Sequence, residues 1–267
     1  MFGQICLFFF IIVIMKKYTG ILFMLSAVVF GSFARITKPT LLIVFIGDSI
    51  TYGAGLANPL QEAPPAAACD ALRKLTGPVM ASNQGVSGFT TVDFLPSTGT
   101  VFRKVMQAAA GLAADGGQLV FSIMLGTNDS AVEGTNGSPV SPASYKANLQ
   151  TICDSLLKAF PDCKIVINRP VWYSPNTYNG AKYLAEGLQR LQSYFPGIDG
   201  LVSAYSATHP GHVYAGDKKA FGYFEKNYQT DLQTEAGKQG NFFLHPNKKG
   251  AAALGQFWAD AIYAAVH

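Results

Sequence analysis

Two segments carry the residue types that nucleophilic acyl chemistry requires: Gly47-Asp48-Ser49-Ile50-Thr51 near one end of the chain and His245-Pro246-Asn247 near the other. A serine hydroxyl attacks a carbonyl only when a base removes its proton, and a neutral imidazole is suited to that task. Residues so far apart can meet only in the folded state, as nucleophile and base do on unrelated folds. Attack also requires donors aimed at the oxygen that becomes negative. Gly85, after Asn83-Gln84, has no Cβ to keep a backbone N–H from a substrate. Asn128, in Gly126-Thr127-Asn128-Asp129, offers a neutral and directional amide N–H. Taken singly, each segment also fits an ordinary turn or helix cap. Their positions, at the ends of strand-like runs or, for His245, in the last loop, are what single them out.

Those runs define the elements that must position the site. Leu41-Leu42-Ile43-Val44-Phe45-Ile46 is unbroken and apolar, as expected for a parallel strand buried on both faces. Ser49 follows its carboxyl end, where open α/β sheets bind ligands. The pattern predicts further strands over Val79–Asn83, Gln118–Leu125 and Lys164–Asn168. Helices are expected over Pro65–Leu75, Val101–Ala114, Ser141 to about Ala159, Ala181–Phe195 and Lys248–Val266, with Ser-Pro as the entry signal at Ser141. Residues 199–243 are rich in Tyr, Phe and Gly and read as less regular. Alternation of this kind implies an α/β fold with a mostly parallel sheet and helices on both faces.

The glycine block Asn83-Gln84-Gly85-Val86-Ser87-Gly88 and the asparagine block Gly126-Thr127-Asn128-Asp129 lie between the nucleophile block, Gly47 to Gly53, and the histidine block, Leu244 to Gly250. In order, spacing and identity the four blocks resemble those of the SGNH (GDSL) hydrolase superfamily over about residues 41–266. More loosely, the chain is similar to secreted carbohydrate esterases of Bacteroidetes that remove acetyl groups from glycans. The resemblance implies a flavodoxin-like three-layer α/β/α sandwich and metal-free, cofactor-free esterase chemistry. It implies Ser49 and His245 as catalytic residues. The oxyanion hole would comprise the Ser49 and Gly85 N–H groups and the Asn128 amide. One departure stands out. The family usually places Asp three residues before the histidine, to hold its tautomer; here that residue is Phe242. A backbone carbonyl in the Asn241–Leu244 turn is the expected substitute, with Asp231 or Glu235 folding back as the alternatives.

Phe8 to Met15 is apolar, Lys16-Lys17 follows, and Ile21 to Phe30 is apolar again. This reads as an over-long gene start, with Met15 the true initiator of a secretory signal cut after Ala34. The second run is short for a membrane span, so no stable membrane anchor is expected after cleavage. The mature chain, residues 35–267, would be a single hydrolase domain, periplasmic or secreted. Without the leader, which holds two lysines and no acid, the formal charge falls from +4 to +2. That balance gives no reason to expect nucleic acid as a partner. Cys69, Cys153 and Cys163 remain. Cys153 and Cys163 could pair in an oxidising compartment, but three free thiols are the preferred reading.

Other signals are weaker. No Gly-x-Ser-x-Gly elbow is present, and Gly53-Ala54-Gly55 lacks the third glycine of a dinucleotide turn. His209-Pro210-Gly211-His212 has no Cys or carboxylate cluster at ligand spacing, so no metal is expected. Trp172, Tyr173, Tyr178 and Tyr183 could stack on a sugar or cover the sheet edge, and Arg169 could bind a substrate carboxylate or pair with a surface acid. The expected activity is removal of short acyl groups, acetyl above all, from a small-molecule or glycan ester. A lysophospholipase or thioesterase of the same fold is the enzymatic alternative. A decayed hydrolase that only binds glycans is the other, motivated by Phe242.

Overall fold

The computed structural model describes residues 40–114 and 116–267. The expected leader, its cleavage after Ala34 and the alternative start at Met15 fall outside them. Five strands form one wholly parallel sheet: β1 (Leu41–Gly47), β2 (Val79–Gly85), β3 (Gln118–Met124), β4 (Lys164–Ile167) and β5 (Val213–Ala215). Their spatial order is β2-β1-β3-β4-β5, the flavodoxin-like doubly wound arrangement. A two-stranded antiparallel hairpin, β6 (Leu232–Gly237) and β7 (Gly240–Pro246), stands apart from that sheet.

Side chains of β1 alternate between two cores. Leu42, Val44 and Ile46 pack with the helices Val101–Ala113 and Pro142–Ala159. Leu41, Ile43 and Phe45 pack with the helices Pro64–Thr76 and Lys248–Val266. Phe45 stacks on Trp258 at 5.8 Å between ring centroids. Burial on both faces is why this strand is apolar throughout; each such side chain contributes about 2–3 kcal/mol by leaving water. Caps set the helix starts. Ser141 Oγ accepts the Ser144 N–H at 3.1 Å, and Asn247 Oδ1 accepts the Lys249 and Gly250 N–H groups at 3.0 and 3.1 Å.

The strand and helix expectations hold to within a few residues at the ends, with two differences. The helix expected over Ala181–Phe195 spans only Leu184–Ser193, and a second helix, Phe195–Thr208, follows with Pro196 in its first turn. Residues 199–243, read as less regular, contain the rest of that helix, β5, the helix Ala220–Asp231 and nearly all of the hairpin. Tyr, Phe and Gly are weak helix formers, so the order here comes from packing rather than local preference. Phe224, for example, is buried beside Trp258 and Leu254. Cys69, Cys153 and Cys163 are free and buried. No helix among the described residues is long and apolar enough to cross a membrane.

Candidate active site

Chain order fixes where the site lies. The chain runs from β1 out to β2 and then back past β1 to β3, so the loops after these strands diverge at their carboxyl ends, where such sheets bind ligands. Ser49 opens a single helical turn, Ser49–Tyr52, at the end of β1. Asp48 caps that turn, its Oδ1 accepting the Ile50 N–H at 2.9 Å. The Asp48 carboxyl is buried, and loss of solvent pushes its pKa up to about 6.

His245 arrives from β7 and places Nε2 2.8 Å from Ser49 Oγ. What orients its ring is not a backbone carbonyl. Glu235 does so, with Oε1 and Oε2 at 3.0 and 2.9 Å from Nδ1, while Oε1 also accepts the His245 backbone N–H at 3.1 Å. The expectation of a carbonyl in the Asn241–Leu244 turn is therefore corrected. The carboxylate comes from the neighbouring strand, where Glu235 pairs directly across the hairpin from Phe242. Phe242 itself is buried in the core. A register shift between Leu232 and Thr234 sets β6 against the end of β7 that carries His245. Asp231 lies outside this chain of bonds. It accepts from the Tyr223 hydroxyl and the Lys249 ammonium at 2.5 and 2.6 Å.

The donors expected for the oxyanion are not equally free. The Gly85 N–H is already committed, donating to Asn83 Oδ1 at 2.9 Å. Glycine is needed at 85 for another reason. A Cβ there would meet Tyr52 N at 2.4 Å and Thr51 C at 2.8 Å, so the missing side chain makes room for the nucleophile turn rather than for substrate. Gly88 is the residue that sequence reasoning passed over. It occupies the third position of a turn closed by the Phe89 N–H to Val86 O, with φ of 81° that favours glycine. It is exposed, and its N–H has no partner among the described residues. The signal was present: the glycine block contains two glycines, and only the second lies beyond the strand.

Asn128 is buried, and its Nδ2 donates to the carbonyl of Phe89 at 2.9 Å, which ties the end of β3 to the Gly88 turn. Its Oδ1 accepts from the Tyr183 hydroxyl at 2.7 Å. An amide nitrogen carries two hydrogens, so one remains for a ligand. Asp129 braces the same loop by accepting the Thr91 N–H at 3.0 Å and the Thr91 hydroxyl. Burial pushes its carboxyl up to about 7. The Ser49 N–H likewise has no partner among the described residues.

Most of the remaining expected residues take structural places, whereas Tyr178 is only half-buried, with the Lys238 ammonium 4.5 Å from its ring centre. Trp172, Tyr173 and Tyr183 are buried and unavailable for stacking on a sugar. Arg169 pairs with Asp199 at 2.6 Å and lies over the Phe195 ring. His212 Nδ1 contacts the Cys163 carbonyl at 2.9 Å, whereas His209 packs on Tyr205. Among the described residues no group of three His, Cys, Asp or Glu side chains could hold a metal ion. Beside the nucleophile turn, a cleft of about 730 Å³ opens between Tyr52, Leu60, Asn83 and Arg73.

The sequence pattern of the GDSL-like lipase/acylhydrolase family matches residues 45–253. No curated protein matches the chain in sequence. Among solved structures, the carbohydrate acetylesterase Est24 of Sinorhizobium meliloti superposes with a TM-score of 0.54 at 17% identity, covering 84% of this chain and 99% of that one. The acetylxylan esterase Axe2 of Geobacillus stearothermophilus gives 0.54 at 19% identity, over 86% and 94%. The lipase/acylhydrolase of Enterococcus faecalis gives 0.56 at 17%, over 84% and 95%. At such identities the likeness is one of fold.

Proposed function

The chain belongs to the GDSL-like lipase/acylhydrolase family and is an ester hydrolase of that family; from that premise we propose that it removes short acyl groups, acetyl first among them, from carbohydrates through Ser49, His245 and Glu235. The carrying observation is the unbroken chain of bonds from Ser49 Oγ through both His245 ring nitrogens to a carboxylate. In the proposed sequence Ser49 Oγ attacks the ester carbonyl as Nε2 takes its proton. Glu235 holds Nδ1–H, leaving Nε2 free to accept, and stabilises the imidazolium that forms. The oxyanion is held by the Ser49 N–H, the Gly88 N–H and the second Asn128 Nδ2 hydrogen, Gly88 taking the part expected of Gly85. His245 then gives that proton to the sugar oxygen as its bond to the acyl carbon breaks, and water repeats the cycle on the acyl-enzyme.

A complete charge relay also speaks against the decayed glycan-binding alternative. The choice of a sugar alcohol is supported by the fold likeness to a carbohydrate acetylesterase and an acetylxylan esterase. Secretion, with residues 35–267 as the mature domain, rests on the N-terminal sequence pattern. Acetyl, butyryl and octanoyl esters of one alcohol, followed by a panel of acetylated glycans, test the reading. Acetyl should be turned over fastest, and acetate should be released from at least one glycan. Faster octanoyl turnover would transfer the assignment to a lysophospholipase or thioesterase.

A further inference from the structure

Asn128 can serve an oxyanion only if its amide presents nitrogen and not oxygen to the ligand. Its hydrogen bonds settle which way it faces. The Phe89 carbonyl can only accept, so the group 2.9 Å from it must be Nδ2. Oδ1 therefore faces the Tyr183 hydroxyl, which must donate across 2.7 Å. One hydrogen of Nδ2 is spent on Phe89, and rotation about the side-chain torsion would misaim the other. With both ends tied the torsion is held; with one end tied it is not.

Tyr183 is itself placed by an unusual piece of backbone. The next residue, Leu184, is the one described non-glycine residue with positive φ, at 57°. The N–H groups of Tyr183 and Leu184 both donate to the Thr177 carbonyl, each at 3.2 Å. A strained conformation persists only where its surroundings over-determine it, and strain of this kind gathers at functional sites. Here the surroundings are tight. Tyr183 is buried, and its ring packs edge-on against Tyr173 at 5.4 Å. Burial also raises the phenol far above its usual range, so the donated proton is not lost at working pH.

We propose that Tyr183 is a positioning residue for the reaction: its hydroxyl locks the Asn128 amide with one N–H aimed at the developing oxyanion. This rests on the reading of Asn128 as an oxyanion donor. Tyr183 touches no substrate, so its contribution is felt when charge develops on the carbonyl oxygen and not when the ester binds.

The test is a double-mutant cycle on 4-nitrophenyl acetate, using Tyr183→Phe, Asn128→Ala and the two together. Tyr183→Phe keeps the ring and removes only the hydroxyl. It should lower kcat about tenfold to a hundredfold with KM unchanged, because a buried acceptor loses its donor and the amide its second anchor. In the Asn128→Ala background the same substitution should change kcat by less than about twofold, since nothing remains to be aimed. An equal loss in both backgrounds would overturn the proposal, as would wild-type kcat in Tyr183→Phe. Thermal unfolding of each variant is measured alongside. A lowered Tm with unchanged kcat well below that Tm would make the hydroxyl merely structural, and would also overturn it. Absence of turnover by the wild-type enzyme would instead refute the hydrolase mechanism on which the inference rests.

Discussion

Replacing Glu235 with Gln separates a working carboxylate from a bystander, and its effect can be worked from the geometry. Both carboxylate oxygens lie within 3.0 Å of His245 Nδ1, and Oε1 also takes the backbone N–H at 3.1 Å. A Gln amide has one accepting atom for these two donors. If it serves the backbone N–H, its NH₂ faces Nδ1, and the ring answers by moving its proton to Nε2. A protonated Nε2 cannot accept from Ser49, which is the wrong-tautomer fault that costs a serine protease about 10⁴ in kcat. The lost charge gives a similar size independently. An imidazolium and a carboxylate with centres about 4 Å apart attract by about 4 kcal/mol at an effective dielectric constant near 20. That corresponds to about 10³ in rate. The side chains are 13% and 24% exposed, so some screening applies and about 10³ is the expected loss in kcat, with KM within about twofold. Steady-state hydrolysis of 4-nitrophenyl acetate measures it. A kcat within threefold of wild type would show that Glu235 only shapes the hairpin, and the three-residue relay would have to be abandoned.

Four further outcomes follow from the same geometry. Ser49→Ala should retain under about a thousandth of wild-type kcat while its circular dichroism and Tm stay unchanged, because a half-exposed hydroxyl is removed without opening a cavity. Asn128→Ala should lower kcat about a hundredfold to a thousandfold at constant KM; a raised KM with constant kcat would make it a substrate-binding residue. Gly85→Ala should lower Tm markedly, because the added Cβ meets the Tyr52 nitrogen at 2.4 Å; a stable variant would mean the nucleophile turn can shift. Asp129 is held up to about 7 by burial, so between about 4 and about 7 the folded protein binds more protons than the unfolded chain. The sign is then fixed: this group's stabilising contribution is fully present below about 4 and is lost as pH rises through about 7. Asp129→Asn should flatten that decline, read as the difference in urea midpoint between pH 5 and pH 8 for variant and wild type.

Ser49 and the parallel sheet are legible in the sequence for a local reason. A strand buried on both faces must be apolar throughout, so its end is visible, and a serine at that end is conspicuous. Asn128 was found in the same way, at the end of β3. Glu235 could be named only as one of two carboxylate alternatives to a backbone carbonyl, because nothing local connects it to His245. It lies ten residues away, and only the register of the hairpin sets it opposite Phe242 and brings its carboxylate to the ring. The two glycines of the glycine block show the same divide. Sequence supplies both, but availability of an N–H depends on what else it bonds, and Asn83 takes that of Gly85. For Tyr183 the sequence leaves sugar stacking and sheet-edge cover equally open, and only its burial and its bond to Asn128 give it a place. Periodicity and turn chemistry are written over a few residues and can be read there. Hydrogen-bond partnership across the fold is decided by tertiary packing, and that packing brings Glu235 to His245, ties up the Gly85 N–H and holds the Asn128 amide between Phe89 and Tyr183.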